Sequence, residues 1–285
     1  MILPCKHEAR VTAQVQPAIN LLKNLDELHP DVLRQHGLEP VDYKGGLVFR
    51  SAVESIRGTF IASSTTGRQS FVGDILQNML SRNLITKYRQ TSSSARTDFE
   101  VAIRADYYAG IEVKGGEGNS INISDRPLWA NEFCLWSHLD GAVVNQPEHG
   151  AHSIINRITN EMCRRKKSVD ALFFKDILCG TRTRPCPKYP GNEETIGLNT
   201  APDVFLFPIR VPTEDEPDPP VHSLDSLQLP KRMLQLFGVS NSDMTEHVWE
   251  VHMELKSISG RYQRVIQVWH KGQIVDGSSS RYWAT

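Results

Sequence analysis

The chain has 285 residues, and its 32 lysines and arginines nearly balance its 33 acidic residues, so the formal net charge is -1. This balance excludes a polycation that binds nucleic acid through its overall charge, and any such contact must come from local basic patches. Hydrophobic residues make up 39% and charged residues 23% of the chain, which is typical of a globular protein with a substantial core.

The five cysteines, at positions 5, 134, 163, 179 and 186, are odd in number and scattered. Such a set favours free thiols in a reducing compartment. The amino-terminal segment lacks the apolar core of a signal peptide, and no apolar run has the length of a membrane span. We therefore expect a cytoplasmic protein with no membrane partner. The phosphate loop of ATP-driven proteins is also missing, so we expect no use of ATP.

Apolar periodicity predicts the first elements of the chain. Residues 17–39 have a helical pattern that is broken by Pro30, while residues 47–61 fit a helix or a strand equally well. Residues 63–69 are predicted to be a polar loop. A firmer helix is predicted for residues 70–87, where Phe71, Ile75 and Met79 recur every four positions.

Residues 98–116 carry the most informative pattern, DFEVAIRADYYAGIEVKGG. Apolar and polar residues alternate in both halves, so the segment predicts two strands joined by a tight turn near Asp106. Each strand then has one apolar face and one face that carries the charged residues.

Pairing about that turn places Glu100 opposite Glu112 and Asp98 opposite Lys114, so three carboxylates and one amine share a small patch. Clustered carboxylates bind Mg²⁺, and a lysine beside the ion can position or deprotonate a water. A second interpretation is a surface hairpin with solvated cross-strand ion pairs, each of which contributes little. The pattern alone leaves both interpretations open.

The remaining chain predicts an alternation of helices and strands. A stripe of Leu128, Trp129, Phe133, Trp136 and Leu139 predicts a helix over 126–139 whose apolar side packs in the core. Further predictions are a helix at 152–166, a buried strand at 169–178, another strand at 201–211, a short helix at 229–239, and a β-hairpin formed by 247–257 and 261–270. This order predicts an α/β protein with a central mixed β-sheet flanked by helices and with extra N- and C-terminal elements.

The triplet Glu112-Val113-Lys114, preceded by Asp98, resembles the motif of the PD-(D/E)xK nuclease superfamily, which includes most type II restriction endonucleases. The order of a helix, a hairpin with the acids, a helix and a buried strand is also similar to the core of that family. Thr97 stands where the family often has proline.

The resemblance implies roles for these residues. Asp98 and Glu112 would bind one or two Mg²⁺ ions, with the carbonyl of Val113 as a further ligand, and Lys114 would position or activate the attacking water. Glu100 is a further candidate metal contact. Asp74 is the candidate for an acid from the preceding helix.

The same resemblance implies a restriction-endonuclease-like core over residues 70–212. Residues 1–69 would form an N-terminal helical region for DNA recognition or dimerisation, and residues 213–285 a C-terminal helix and β-hairpin packed on the core. The implied function is Mg²⁺-dependent endonucleolytic hydrolysis of double-stranded DNA by a homodimer that acts as a site-specific type II restriction endonuclease. Another nuclease of the same fold and an inactive nucleic-acid-binding module are the alternatives.

Other constellations carry weaker signals. Asp106 could replace Asp98 as the first acid, and His149 and His152 are spaced like metal ligands but lack further ligands at a suitable spacing. Basic residues outside the hairpin could neutralise DNA phosphates or could be solvated surface charges. The candidates for DNA binding are Arg164, Arg165, Lys166, Lys167, Arg182, Arg184 and Lys188.

Overall fold

The computed structural model describes residues 30–35, 37, 65–92, 95–114, 121–138, 150–175 and 201–284. Within these ranges one large mixed sheet is flanked by α-helices, which confirms the predicted α/β class. The helices are α1 (Pro30–Gln35), α2 (Thr65–Ser81), α3 (Gly150–Arg165) and α4 (Gln228–Leu236). No helix in these ranges is long and apolar enough to cross a membrane.

The described part of the chain contributes ten strands to the sheet. They are β1 (Lys87–Gln90), β2 (Phe99–Arg104), β3 (Tyr107–Lys114), β4 (Glu132–His138), β5 (Ala171–Lys175), β6 (Asp203–Leu206), β7 (Val248–Ile258), β8 (Arg261–His270), β9 (Gln273–Ser279) and β10 (Trp283–Ala284). Strands β1 to β8 follow one another in sequence order across the sheet, and both β9 and β10 pair with β8. The pairs β3–β4, β4–β5 and β6–β7 are parallel, and the others are antiparallel.

The sheet separates two hydrophobic layers because successive side chains of a strand point to opposite faces. One layer joins α2 and α4 to residues such as Val101 and Trp136. The other joins α3 to residues such as Leu135 and Leu172. Residues 121–127, which we call the strap, run between β3 and β4 and bury Ile123 in the α3 layer.

The helix predicted for residues 126–139 is wrong, because this segment contains strand β4. Phe133 lies in the α3 layer and Trp136 in the α2 layer, and both are fully buried. Leu128 of the predicted stripe is fully exposed at 102% of its reference area. A strand buried on both faces has no polar alternation, so its apolar spacing can imitate a helix.

Most other predicted elements are confirmed with shifted ends. The predicted helix at 70–87 is α2, which begins earlier, includes most of the predicted loop 63–69, and ends at Ser81. The predictions for 152–166, 169–178, 201–211, 229–239 and the C-terminal hairpin correspond to α3, β5, β6, α4 and β7–β8. Strands β1, β9 and β10 were not predicted. The predictions for 17–29 and 47–61 lie outside the described residues.

The predicted hairpin exists, but its register differs from the prediction. Phe99 pairs with Ile111 and Glu100 pairs with Gly110, so Asp98 faces Glu112 rather than Lys114. The cause is a turn centred one half-residue earlier than expected, together with a bulge between Ala102 and Arg104. The shift keeps the parity of the strands, and the apolar faces stay on the core.

A buried carboxylate attaches α4 to the beginning of β4. Glu132 is fully buried and accepts hydrogen bonds from Tyr107 Oη at 2.7 Å, from the Leu229 amide at 2.9 Å and from the Gln228 amide. The two amides belong to the first turn of α4, where N–H groups have no partner within the helix. Burial raises the pKa of Glu132, and the Gln228 amide opposes that shift.

Glu132→Ala is expected to lower the free energy of unfolding by about 3 kcal/mol or more, because three donors lose their acceptor. Urea unfolding measures the loss. Glu250→Ala, on the exposed side of β7, is the matched control and should change stability by less than about 0.5 kcal/mol. Equal losses in the two variants would contradict the assigned role.

The pKa of Glu132 also predicts a pH dependence. Since the folded-state pKa lies above its ordinary value of 4.5, the native chain retains the proton at pH values where the unfolded chain has lost it. The contribution of Glu132 to stability therefore falls as the pH rises from 4.5 through the raised pKa. Glu132→Gln should remove this part of the stability–pH curve, and an unchanged curve would refute it.

Candidate active site

The candidate site lies at the end of β3, a strand that is held on both edges. Strand β2 pairs with it antiparallel and β4 pairs with it parallel. Glu112 and Lys114 are two residues apart on β3 and therefore point to the same face. Asp98 immediately precedes β2 and faces Glu112 across the hairpin. The ladder fixes these three backbone positions relative to one another.

Asp98 is bound to both the hairpin and helix α2. Its Oδ2 accepts a hydrogen bond from the Val113 amide at 2.6 Å, and its Oδ1 accepts one from Gln69 Nε2 at 2.5 Å. Its own amide donates to the Ile111 carbonyl at 2.9 Å. The carboxylate is thus held next to the backbone of the residue that follows Glu112.

Glu112 is a buried carboxylate that is compensated from two sides. Its Oε1 accepts from Lys114 Nζ at 2.5 Å and from Ser124 Oγ at 2.9 Å. Its Oε2 accepts from the Ser124 amide at 3.2 Å. A carboxylate with only 8% of its side chain exposed requires such donors, because burial without them is costly. The Lys114 side chain is 19% exposed, so the ion pair is shielded from solvent.

The other acids of this region have different positions. Glu100 accepts hydrogen bonds from the Arg89 guanidinium of β1, with the shorter contact at 2.6 Å, so its carboxylate is engaged at the neighbouring strand. Asp106 lies in the exposed turn of the hairpin with a φ of 58°. Asp74 is exposed on α2, and among the described residues of that helix it is Gln69 that reaches Asp98.

Two residues of the site, Gln69 and Ser124, were not predicted from the sequence. Gln69 was placed in a loop, and extending α2 towards its N-terminus would have brought it near the hairpin. Ser124 lies in the strap and bonds Glu112 with both its amide and its hydroxyl. Both contacts join residues at least twelve positions apart, so no local pattern marks them.

The donor set fits a hard divalent cation. Asp98 and Glu112 offer carboxylate oxygens from adjacent strands, and a carboxylate has about four acceptor positions, of which two are used on Asp98 and three on Glu112. Within the described ranges no group of three or more His, Cys, Asp or Glu side chains is arranged to hold a metal. Mg²⁺ commonly uses one or two carboxylates and completes its shell with waters and substrate phosphates. The role of the Val113 carbonyl stays a prediction.

The basic run at the end of α3 lies away from these acids. Because α3 connects the parallel strands β4 and β5, its C-terminus lies near the N-terminal ends of these strands. The candidate site is at the C-terminal end of β3, which runs in the same direction. Arg164, Arg165 and Lys166 are exposed there, and Lys167 forms an ion pair with Asp125 of the strap. Arg182, Arg184 and Lys188 lie outside the described residues.

His152 does not belong to the candidate site. Its Nδ1 is 2.7 Å from Asp276 Oδ2 of β9, and its Nε2 is 2.6 Å from Asn156 Nδ2 on α3. The contact with Asp276 joins α3 to β9. His149 lies outside the described residues.

Comparisons with models of protein families, with curated proteins and with solved structures found no match. The function is therefore inferred from the residues and geometry of the site.

Lys114→Met is expected to lower the free energy of unfolding by about 2 kcal/mol, because the buried Glu112 carboxylate loses its charged partner. Adding Glu112→Gln to that variant should recover part of the loss. A double-mutant cycle by urea unfolding should give a coupling energy of about 1 kcal/mol or more.

The Arg89–Glu100 pair of the same hairpin provides the matched cycle. Arg89 is 63% exposed, so the cycle of Arg89→Met and Glu100→Gln should give a coupling energy below about 0.5 kcal/mol. Additive effects of the Lys114 and Glu112 substitutions would show that their contact does not compensate the buried charge.

Proposed function

We propose that this chain is a Mg²⁺-dependent endonuclease that hydrolyses the phosphodiester bonds of double-stranded DNA. The observation that carries the proposal is one cluster, in which Lys114 Nζ contacts the Glu112 carboxylate and the Asp98 carboxylate is fixed at the Val113 amide. These are the first acid and the acid-x-lysine triplet of the PD-(D/E)xK motif. The alternative of a fully solvated hairpin fits less well, because Glu112 is buried.

The order of elements also supports a restriction-endonuclease-like core. Helix α2 precedes the hairpin with the acids, and α3 precedes the buried strand β5, which is the order that the resemblance implies. Strand β4 lies between the hairpin and α3 and continues the sheet in parallel from β3. Glu112 and Lys114 thus lie on a strand inside the sheet, and Asp98 lies just before the strand that pairs with it.

The residues of the site have distinct tasks in this reaction. A bound Mg²⁺ would polarise the scissile phosphate and increase the acidity of a nearby water. Asp98 and Glu112 would hold the ion, while Gln69 and Ser124 keep the two carboxylates in place. Lys114 would orient the attacking water with its ammonium. The water oxygen would bond to phosphorus and release a proton to solvent, while the bond from phosphorus to the 3′ oxygen would break and that oxygen would take up a proton from solvent. The products would carry a 5′-phosphate and a 3′-hydroxyl.

We further propose a type II restriction endonuclease that acts as a homodimer, since a palindromic DNA site is matched by a two-fold protein. In that assembly the basic run from Arg164 to Lys167 would neutralise phosphates away from the scissile bond. This run lies at the N-terminal ends of the parallel strands and Lys114 at the C-terminal end of β3, which suits such a distant contact.

Incubation with supercoiled plasmid is expected to give cleavage with Mg²⁺ and none with EDTA. Discrete bands indicate a site-specific enzyme, and a smear indicates a nonspecific nuclease. Absence of cleavage on many plasmids and on RNA, with DNA binding retained, would favour an inactive binding module and would contradict the proposal.

Glu112→Gln and Asp98→Asn are expected to lower the cleavage rate by about 10²-fold or more, because each removes a charged metal ligand. Both should still bind DNA in a gel-shift assay. Asp106→Asn is the matched control, since it neutralises an exposed acid of the same hairpin, and it should retain full activity. Mg²⁺ should raise the Tm of the wild type but not of Glu112→Gln. Full activity in Glu112→Gln would refute the site.

A further inference from the structure

Ser137, near the end of β4, is a buried residue with an unused hydroxyl. Its side chain is fully buried, and its Oγ has no hydrogen-bond partner within the described part of the protein. A buried polar group without a partner is unfavourable and therefore requires an explanation. Ser137 is the residue of β4 that pairs with Lys114 of β3.

The neighbours of Ser137 across the sheet restrict which group the hydroxyl can bind. On the side of β5 it pairs with Phe174, which is buried and apolar. On the side of β3 it pairs with Lys114, and adjacent strands are about 4.8 Å apart. Asp203 lies beyond Phe174, two strands from Ser137. Lys114 is thus the adjacent polar residue in this row of the sheet.

The ion pair of Lys114 creates a need for a second acceptor. Lys114 Nζ lies 2.5 Å from Glu112 Oε1, so a divalent cation bound to Glu112 would compete with the ammonium for this oxygen. Two cations repel each other at such a distance, so the ammonium has to withdraw when the ion binds. Ser124 Oγ donates to the same Glu112 Oε1 atom, so an ammonium held there would stay beside the ion on that carboxylate. The lysine side chain is long and flexible enough to turn towards the neighbouring strand.

We propose that Ser137 is a positioning residue for Lys114: its hydroxyl accepts a hydrogen bond from the ammonium when a divalent cation displaces that ammonium from Glu112. This inference rests on the proposed Mg²⁺ site and deepens it. Ser137 then keeps Lys114 beside the ion and directed at the attacking water, so one lysine has two defined positions. Without the ion, the hydroxyl stays without a partner.

The two states predict a distinctive behaviour of Ser137→Ala. In the absence of a divalent cation the Tm should equal or exceed that of the wild type, because the lost hydroxyl makes no hydrogen bond. With Mg²⁺ and DNA, kcat should fall about tenfold, as expected for the loss of one hydrogen bond to a charged group, while KM and the Mg²⁺ half-saturation stay constant. Ser137→Thr retains a hydroxyl and should restore most of kcat.

A spectroscopic measurement tests the same contact without catalysis. In ¹⁵N-lysine NMR spectra, Mg²⁺ alone should shift the Lys114 ammonium signal of the wild type to a new, slowly exchanging position. In Ser137→Ala the ion should instead leave that ammonium in fast exchange with water. The Mg²⁺-free spectra of the two proteins should agree, since Lys114 is then paired with Glu112.

The outcomes separate the two proposals. If Mg²⁺ changes the Lys114 signal of the wild type and Ser137→Ala behaves identically in spectra and kcat, the positioning role is overturned and the metal site stands. If Mg²⁺ changes neither the Lys114 signal nor the Tm of the wild type, both the proposed metal site and the role of Ser137 are overturned. Failure of Ser137→Thr to recover activity, with its Tm intact, would also contradict the role of the hydroxyl.

Discussion

Strand β3 is the constraint on which the rest of the structure depends, because it is paired on both edges and covered on both faces. Antiparallel β2 and parallel β4 satisfy its backbone, α2 covers one face, and the strap lies against Glu112 on the other face. A charged residue on such a strand is buried and must be compensated by donors. Glu112 receives these donors from Lys114 on its own strand and from Ser124 in the strap. The path of the strap is thus tied to one buried carboxylate.

Strand β4 has a buried polar group near each of its ends, and the two differ in whether they have hydrogen-bond partners. At its beginning, Glu132 is bonded to Tyr107 and to the first amides of α4. The backbone amides of α4 cannot exchange for another donor, so the Glu132 carboxylate has a structural role. Near its end, Ser137 has a hydroxyl without a partner, next to a lysine whose present partner is a candidate metal ligand. Because the Lys114 ammonium can change its partner and the Ser137 hydroxyl can accept a hydrogen bond, the proposed second position of this lysine is beside Ser137.

Much of the fold could be predicted from local patterns. Alternating residues predicted the hairpin, and four-residue periodicity predicted α2 and α3, since each of these elements has one apolar side. Strand β4 was mistaken for a helix because it is buried on both faces and shows no alternation. The register of the hairpin was wrong because the bulge before Arg104 has no marker in the sequence. The short strands β1, β9 and β10 are fixed by pairing rather than by their own patterns.

The sequence by itself determined that Glu112 and Lys114 share a face and that Asp98 lies at the neighbouring strand, because a strand repeats every two residues and short hairpins pair locally. Only the tertiary structure decided that Asp98 faces Glu112, that Gln69 and Ser124 hold these carboxylates, and that Ser137 lies beside Lys114. It also placed the basic run of α3 at the N-terminal ends of the parallel strands, away from Lys114 at the C-terminal end of β3. These contacts join distant parts of the chain, and they form only when strands and helices pack, so no local periodicity encodes them.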